Sequence, residues 1–283
     1  MPGEKLTALI SVQTGAIQSK SRLTGGDIHT TFVLNTASGQ WVIKSAKDPL
    51  KIASLKAEYE GLQLLQSTNT CKIPELLGLF EADDEAALLM EYIKFDIQKQ
   101  PNYNHIMDLA EELANLHSVS NEHFGLDSDN FIGTLPQRNS PCKSASEFYL
   151  KNRLIPQFET AASKGFSFKT SSLFKNVEDL INDQRPALIH GDLWHGNRVM
   201  DSRGDFLIDP AVSYGIAEMD LAMMQLFGGF NPHLFDAYEE IRGLDKSWRD
   251  QTDLYQLYYL LVHLNLFGMA YEDGVRKIVN KYS

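Results

Sequence analysis

The chain is poor in cysteine: Cys71 and Cys142 are its only two, and they form no CxxC pair. That argues against a disulfide framework and fits a reducing compartment. It also lacks a clean apolar run. The most apolar segment, "LYYLLVHLNLFGMAY" from Leu257 to Tyr271, is interrupted by His263 and Asn265 and falls short of the ~18 apolar residues that spanning requires. It reads as a core helix. At the N-terminus only "LTALISV" is apolar, behind one lysine and one glutamate, a poor secretory signal. No membrane attachment is expected, and the cytoplasm is the expected location. Basic charge is scarce as well, with 26 Lys and Arg against 37 Asp and Glu, a net charge of −11. With no basic patch to set against that field, nucleic acid is not an expected partner.

What is there is an ordinary globular composition, 43% apolar and 22% charged over 283 residues, enough for one large domain or two lobes. No internal repeat appears, but the pattern changes near residue 93. Before it come short β-type runs, "SKSRLTGG", "TTFVLNT" and "QWVIKSA", then "IASLKAEYEGLQLLQS" with Leu55, Tyr59, Leu62 and Leu65 at helical spacing. Two more strand-like runs follow around an acidic turn in "KIPELLGLFEADDEAALLMEYI". Beyond residue 93 helical patterns dominate, with the stretch from Ala187 to Ala211 as a β island. The expected class is α+β: a small antiparallel-sheet N-lobe with one main helix over 1–93, nucleotide-binding, and a larger, mostly helical C-lobe over 94–283. A cleft between such lobes is a common ligand site.

The island reads "ALIHGDLWHGNRVMDSRGDFLIDPA" and holds His190, Asp192, Asn197 and, across an expected hairpin turn at Asp201 to Gly204, Asp209. The five-residue interval from Asp192 to Asn197 equals that of the protein-kinase loop HRDxxxxN, and Asp209 stands where the metal-binding Asp of DFG would come. Phosphoryl transfer needs these types: a carboxylate, Asp192, to accept the proton of the attacking hydroxyl, and oxygen donors, Asn197 and Asp209, to hold Mg²⁺ on nucleotide phosphates. Two other readings compete. His190, Asp192 and His195 form an HxDxxH pattern that could ligate a hydrolytic metal, though this leaves Asn197 and Asp209 without a role. Asp and Asn also form plain turns.

The first part of the chain favours the kinase reading. Lys44 ends the apolar run "QWVIK", as the phosphate-orienting lysine ends VAIK, and Glu58 follows on a helix, placed to pair with it; Glu60 is the fallback partner, less favoured because it is turned away from the Leu62 side. Gly25 and Gly26 lie between two strand-like runs, 18 residues before Lys44 for the second of them, where backbone N–H groups can approach phosphates. A plain hairpin is the alternative there. Backbone groups of Glu91, Tyr92 and Ile93, closing "LLMEYI", would face the adenine of ATP as a hinge, or belong to an ordinary buried strand.

With these residues in place the chain resembles the fructosamine kinases, or ketosamine-3-kinases, a family with the bilobal protein-kinase-like fold of aminoglycoside phosphotransferases. The likeness runs nearly end to end, through "GGDI", "AEYEGLQLL", "DNFIGTLPQ", "NRLIPQ", "HGDLWHGN", "DPAVSYG", "DLAMMQLFGGF" and "LYQLYYLLVHLNLFG". HGDxxxxN is shared by many small-molecule kinases; the Trp194 form of the loop, "NFIG" and "LFGGF" are the family's own marks. The resemblance implies ATP- and Mg²⁺-dependent phosphorylation of the 3-hydroxyl of a ketosamine (fructosamine, ribulosamine or erythrulosamine), free or protein-linked, as a deglycation repair step. It makes Asp192 the base, Asn197 and Asp209 the Mg²⁺ ligands, Lys44 and Glu58 the phosphate-orienting pair, and Trp194 a wall of the sugar pocket, where an indole face covers the C–H side of a sugar.

Some positions depart from the family pattern. Ile216 and Ala217 replace a usual His-Arg pair, though Glu218 and Asp220 remain; His195 stands where serine is common, and Asp27 where several relatives have cysteine. Two further expectations stand beside the ketosamine kinase: a related kinase of an aminoglycoside, choline-like or other amino alcohol, and a non-catalytic nucleotide-binding module.

Overall fold

The computed structural model describes residues 2–23, 29–94, 103–182, 184–244 and 246–283. Gly25, Gly26 and Asp27 lie outside the described residues. Two compact units emerge, residues 1–100 with 199–209, and residues 101–198 with 210–283.

In the first unit, helix α1 (Glu4–Thr14) precedes strands β1 (Ile17–Arg22), β2 (Thr30–Thr36) and β3 (Gln40–Ala46), helix α2 (Pro49–Thr68), and strands β4 (Leu76–Ala82) and β5 (Glu85–Glu91). The strands form one sheet in the order β1-β2-β3-β5-β4, every neighbouring pair antiparallel. Side chains alternate across a strand, so Ile43 and Lys44 point to opposite faces. On the Ile43 face, Leu6 and Ile10 of α1 pack with Leu34, Ala87 and Leu89. Lys44 shares its face with its cross-strand neighbours Thr31 and Leu88, and α2 lies there. That helix starts where Asp48 accepts hydrogen bonds from the N–H groups of Leu50 (3.0 Å) and Lys51 (3.2 Å), with Pro49 as its first residue. Leu55, Leu62 and Leu65 on its inner stripe are fully buried. β3 runs two residues past Lys44, so the lysine sits within the strand.

The second unit opens with α3 (Tyr103–Leu116) and a hairpin of β6 (Asn130–Ile132) and β7 (Leu135–Gln137). A helical stretch follows: α4 (Ala145–Phe148), a π-helical segment (Tyr149–Leu154) and α5 (Ile155–Ser163). After α6 (Ser171–Leu180) comes β8 (Ala187–Ile189), then a 3₁₀ turn (His195–Asn197). The strand pair β9 (Arg198–Asp201) and β10 (Gly204–Leu207) counts almost wholly with the first unit, where the N–H of Leu207 donates to the Lys72 carbonyl at 2.9 Å. β11 (Ser213–Gly215) pairs antiparallel with β8, and α7 (Ala217–Leu226), α8 (Pro232–Arg242), α9 (Thr252–Phe267) and α10 (Glu272–Lys281) complete the unit. The apolar segment at 257–271 is a core helix as far as Phe267, with Leu257, Leu261 and Leu264 of α9 fully buried; beyond Gly268 it continues as a 3₁₀ turn (Met269–Tyr271), and Phe267 and Met269 are exposed. Among the described residues, no helix is long and apolar enough to cross a membrane.

A buried polar network explains why the "NFIG" and "NRLIPQ" stretches look as they do. Asn130 donates to the Val212 carbonyl (2.8 Å) and accepts from Gln137 (2.8 Å) and Asn139 (2.8 Å). Gln137 also donates to the Ala211 carbonyl (3.0 Å) and accepts from the Tyr258 hydroxyl (2.7 Å). Arg153, 1% exposed, donates to Asn139 (3.1 Å) and Ser213 (2.9 Å), its guanidinium 4.4 Å from the Phe148 ring centre. Buried polar groups persist where they are satisfied in this way, and this set fixes the backbone of Ala211 to Ser213. Ile216 and Ala217 are both buried in the apolar core of the unit, so the usual polar pair is replaced here by packing.

Candidate active site

The loop after β8 is shaped by its own backbone and by α7. The His190 N–H and Gly191 N–H donate to the two oxygens of Asp220, at 2.7 and 2.8 Å. Gly191 has φ +80°, and a Cβ there would lie 2.1 Å from the Ala211 carbonyl oxygen, so only glycine fits. Asn197, 5% exposed, donates from Nδ2 to the Asp192 carbonyl (2.8 Å) and to Asp192 Oδ2 (3.1 Å). The five-residue interval thus closes on itself, the amide orienting the carboxylate. Trp194 is half-buried; its ring covers Gly196, where a Cβ would come within 2.3 Å of the indole. Its edge-on neighbours are the rings of His195 (5.0 Å) and Phe227 (6.4 Å).

Asp220 itself is fully buried and is the hub of a second layer. His117 Nε2 donates to its Oδ2 (3.2 Å), and the Tyr238 hydroxyl meets His117 Nδ1 at 2.7 Å. Burial alone would raise the Asp220 carboxyl, but the His117 bond and charge, His190 and the Gly191 N–H together hold it below the usual carboxylate range.

In the first unit Lys44 meets two carboxylates. Its Nζ donates to Glu58 Oε1 at 2.6 Å and to Asp209 Oδ1. Glu58 side-chain exposure is 9%, that of Asp209 41%, and Glu60 is exposed. Burial, the largest influence on Lys44, works against its charge; Asp209 and Glu58 outweigh it and hold the ammonium above its ordinary value. For Glu58 burial prevails: it pushes the carboxyl up against the pull of Lys44, with repulsion from Asp209 adding to it. Asp209 stays below the usual range, because Lys44 overcomes its desolvation. His29 lies 3.8 Å from Glu58 and accompanies Lys44 as a neutral imidazole, its pKa lowered first by burial and then by the lysine charge. Asp209 has φ +56°, a left-handed backbone that costs a non-glycine residue about 1–2 kcal/mol and gathers at functional sites.

The expected residues that are described fall into separate groups, while Gly25 and Gly26 lie outside the described residues. Lys44, Glu58 and Asp209 come together in one unit, and Asp192, Asn197 and Trp194 in the loop of the other. Glu91 and Tyr92 are held in the sheet by their N–H groups, which donate to the carbonyls of Glu75 (2.8 Å) and Gln40 (3.3 Å), and Ile93 is buried. His117 and Tyr238 are supporting residues without a local sequence signal, and Asp220, kept from the family pattern, had no role assigned to it by the sequence. Among the described residues no three of His, Cys, Asp and Glu gather as metal ligands; His190 Nδ1 faces the Asp192 N–H at 3.3 Å.

The chain is similar to known proteins along nearly its whole length. The family model for fructosamine kinase matches residues 4–283. A probable ketoamine kinase of Enterococcus faecium is 39% identical over 91% of this chain and 93% of its own length, and one from Vibrio parahaemolyticus 31% identical over 94% and 92%. A provisionally named fructosamine-3-kinase from Thermobifida fusca superimposes with a TM-score of 0.86 at 30% identity, covering 99% of this chain and 98% of that one. The aminoglycoside phosphotransferase APH(2")-IIIa, solved with GDP and kanamycin, gives 0.64 at 16% identity over 99% and 97%, a likeness of fold. The chain belongs to the fructosamine kinase family and is a phosphotransferase of the ketosamine kinase type, built on the kinase-like fold of the aminoglycoside phosphotransferases.

Proposed function

We propose that the protein is a cytoplasmic enzyme that transfers the γ-phosphoryl group of ATP to the 3-hydroxyl of a ketosamine, as a step of deglycation repair. The observation that carries this reading is the Asp192 carboxylate, oriented by Asn197 within a loop whose amides are clamped by Asp220. Asp192 takes the proton of the sugar hydroxyl as it attacks phosphorus. Trp194 covers the C–H face of the sugar. Lys44, fixed by Glu58, orients the nucleotide phosphates, a task for which its persistent charge suits it. Because the Glu91 and Tyr92 N–H groups are used in the sheet, a base reading this stretch would turn to the Ile93 backbone or to carbonyl oxygens. Gly25 and Gly26 keep the phosphate-cradling role that their place before Lys44 gave them.

Mg²⁺ fits the donors present. Asn197 directs its amide nitrogen to Asp192, which makes oxygen its remaining donor, and Asp209 contributes a carboxylate; hard oxygens are what Mg²⁺ takes. Bound there, the ion would neutralise charge on the nucleotide phosphates.

The test is a panel of fructosamine, ribulosamine, erythrulosamine, an aminoglycoside and choline with ATP and Mg²⁺, read by ADP release and by the position of phosphate in the product. Phosphate on the 3-hydroxyl of a ketosamine is the expected result. Turnover confined to the aminoglycoside or choline would transfer the assignment to a related amino-alcohol kinase.

Asp220 supports the same reading from a distance. In Asp220→Asn the amide NH₂ confronts an N–H donor of the loop, so at least one bond to a charged acceptor is lost, each worth about 1.5–3 kcal/mol. We expect stability to fall by about 2 kcal/mol at pH 7 and kcat to fall with little change in the nucleotide KM. The sign with pH follows from the depressed carboxyl: its contribution is present above the unfolded value and lost as pH falls through the lower folded one. The gap between wild type and variant in denaturant melts should therefore close toward acid pH. A constant gap would show that Asp220 charge is not what holds the loop.

A further inference from the structure

Helix α7 carries a second buried acid. Glu218 precedes Asp220 by two residues and so projects about 200° around the helix from it. It lines a cavity of about 110 Å³ within the second unit. The residue is 8% exposed, and among the described residues its Oε2 has no hydrogen-bond partner. A buried carboxylate oxygen without a partner is costly and calls for an explanation.

The rest of the lining indicates what would satisfy it. Asn182, Gln184 and Gln251 bring amides, and Trp248 and Tyr255 bring aromatic rings. The Gln251 amide nitrogen already donates to the Leu180 carbonyl (3.2 Å), and the Trp248 N–H to Glu239 (2.8 Å). These two groups therefore turn acceptor oxygen and π-surface to a ligand, which together with a carboxylate favour an organic cation. Among the described residues the lining offers a single carboxylate, too few for a divalent ion held by protein ligands. In size the cavity falls below the roughly 150 Å³ that holds a benzene ring, so about five non-hydrogen atoms is the limit.

We propose that this cavity binds a small primary ammonium, its charged end on Glu218 and its carbon chain against Trp248 and Tyr255. The terminal torsion of a glutamate is broad, so either carboxylate oxygen can turn to meet it. Burial pushes the Glu218 carboxyl up, against a backbone hydrogen bond, the charges of His117 and Arg242 and a hydrogen bond from the Gln184 side chain; an ammonium on the remaining oxygen would supply the counter-charge that burial makes valuable. Through α7 such a ligand would bear on the helix that clamps the Asp192 loop. The site stands whether or not the phosphoryl acceptor is a ketosamine.

The full chain is titrated with n-propylammonium chloride up to about 50 mM, in the millimolar range such a small ligand reaches, by calorimetry and thermal shift. 1-Propanol and potassium chloride at equal concentration serve as the neutral and inorganic comparisons. The expected result is saturable binding of the ammonium alone, weakened by about tenfold or more in Glu218→Gln, the loss of one charged hydrogen bond. Leu244→Phe, which fills the cavity and leaves the carboxylate in place, should weaken it as well, so the test survives if the glutamine variant fails to fold. Absence of saturable binding, an equal response to propanol or potassium, or wild-type affinity in Leu244→Phe would each overturn the proposal.

Discussion

Asp192→Ala should lower kcat by about 10²-fold or more, the scale of a positioned general base, while ATP still binds. Retention of the fold follows from how the loop is held. The Asp220 bonds go to backbone N–H groups of His190 and Gly191, and the Asp192 carbonyl still accepts from Asn197 and from the Trp194 N–H at 3.1 Å. The 3.1 Å bond from Asn197 to Oδ2 disappears, a loss of about 1 kcal/mol. Asp192→Asn separates basicity from shape: it preserves an oxygen for Asn197 but cannot take a proton, and should lose as much turnover as the alanine. If the asparagine variant kept wild-type kcat, the base would lie elsewhere. A wild-type protein that binds ATP, turns over none of the candidate substrates and matches Asp192→Ala would instead be the non-catalytic module.

The parts of this site that are legible in the sequence are those written in local periodicity. Lys44 and Glu58 are 14 residues apart, but strand alternation fixes the face of one, and the Leu55, Leu62, Leu65 stripe fixes the face of the other, which excludes Glu60. The loop is legible because its function is closed within five residues. The roles of Asp220, His117 and Tyr238 are not, since their contacts span 103 and 121 positions; Asp220 stands out only as a residue kept from the family pattern. The same holds for Arg153, whose neighbours Asn139 and Ser213 come from distant segments.

The N-terminal helix has no clear signal of its own in the sequence. "LTALISV", noted only as an apolar patch, lies in α1, where Leu6 and Ile10 are buried against the sheet; its β-branched residues give little helical signal, and packing decides. The β6–β7 hairpin adds strands to a part of the chain where one β island is expected. These hairpin strands are three residues each, too short for alternation to register, and the buried amides of Asn130 and Gln137 rather than an apolar pattern secure them.

Lys44→Met should abolish most turnover and expose the electrostatics of the first unit. Removing a phosphate-orienting cation is expected to cost about 10²–10³-fold in kcat. It also strips the counter-charge from Glu58, 9% exposed, and Asp209, 41% exposed. Breaking a buried pair on one side costs about 3–5 kcal/mol, and solvent around Asp209 places the effect near the lower figure. The pH dependence has a definite sign. In the wild type the Lys44 pKa is raised, so its contribution is full below its unfolded value and is lost only as strongly alkaline pH passes the folded one. In the variant the Glu58 carboxyl, already raised by burial, rises further without its partner. A group with a raised folded pKa contributes stability at low pH that disappears as pH climbs through that value, so the variant should be more destabilised at pH 8 than at pH 5. Adding Glu58→Gln removes the stranded charge and should restore stability at pH 8 without restoring turnover. Equal destabilisation at both pH values, or no recovery in the double variant, would mean that Lys44 holds the unit by packing and not by charge.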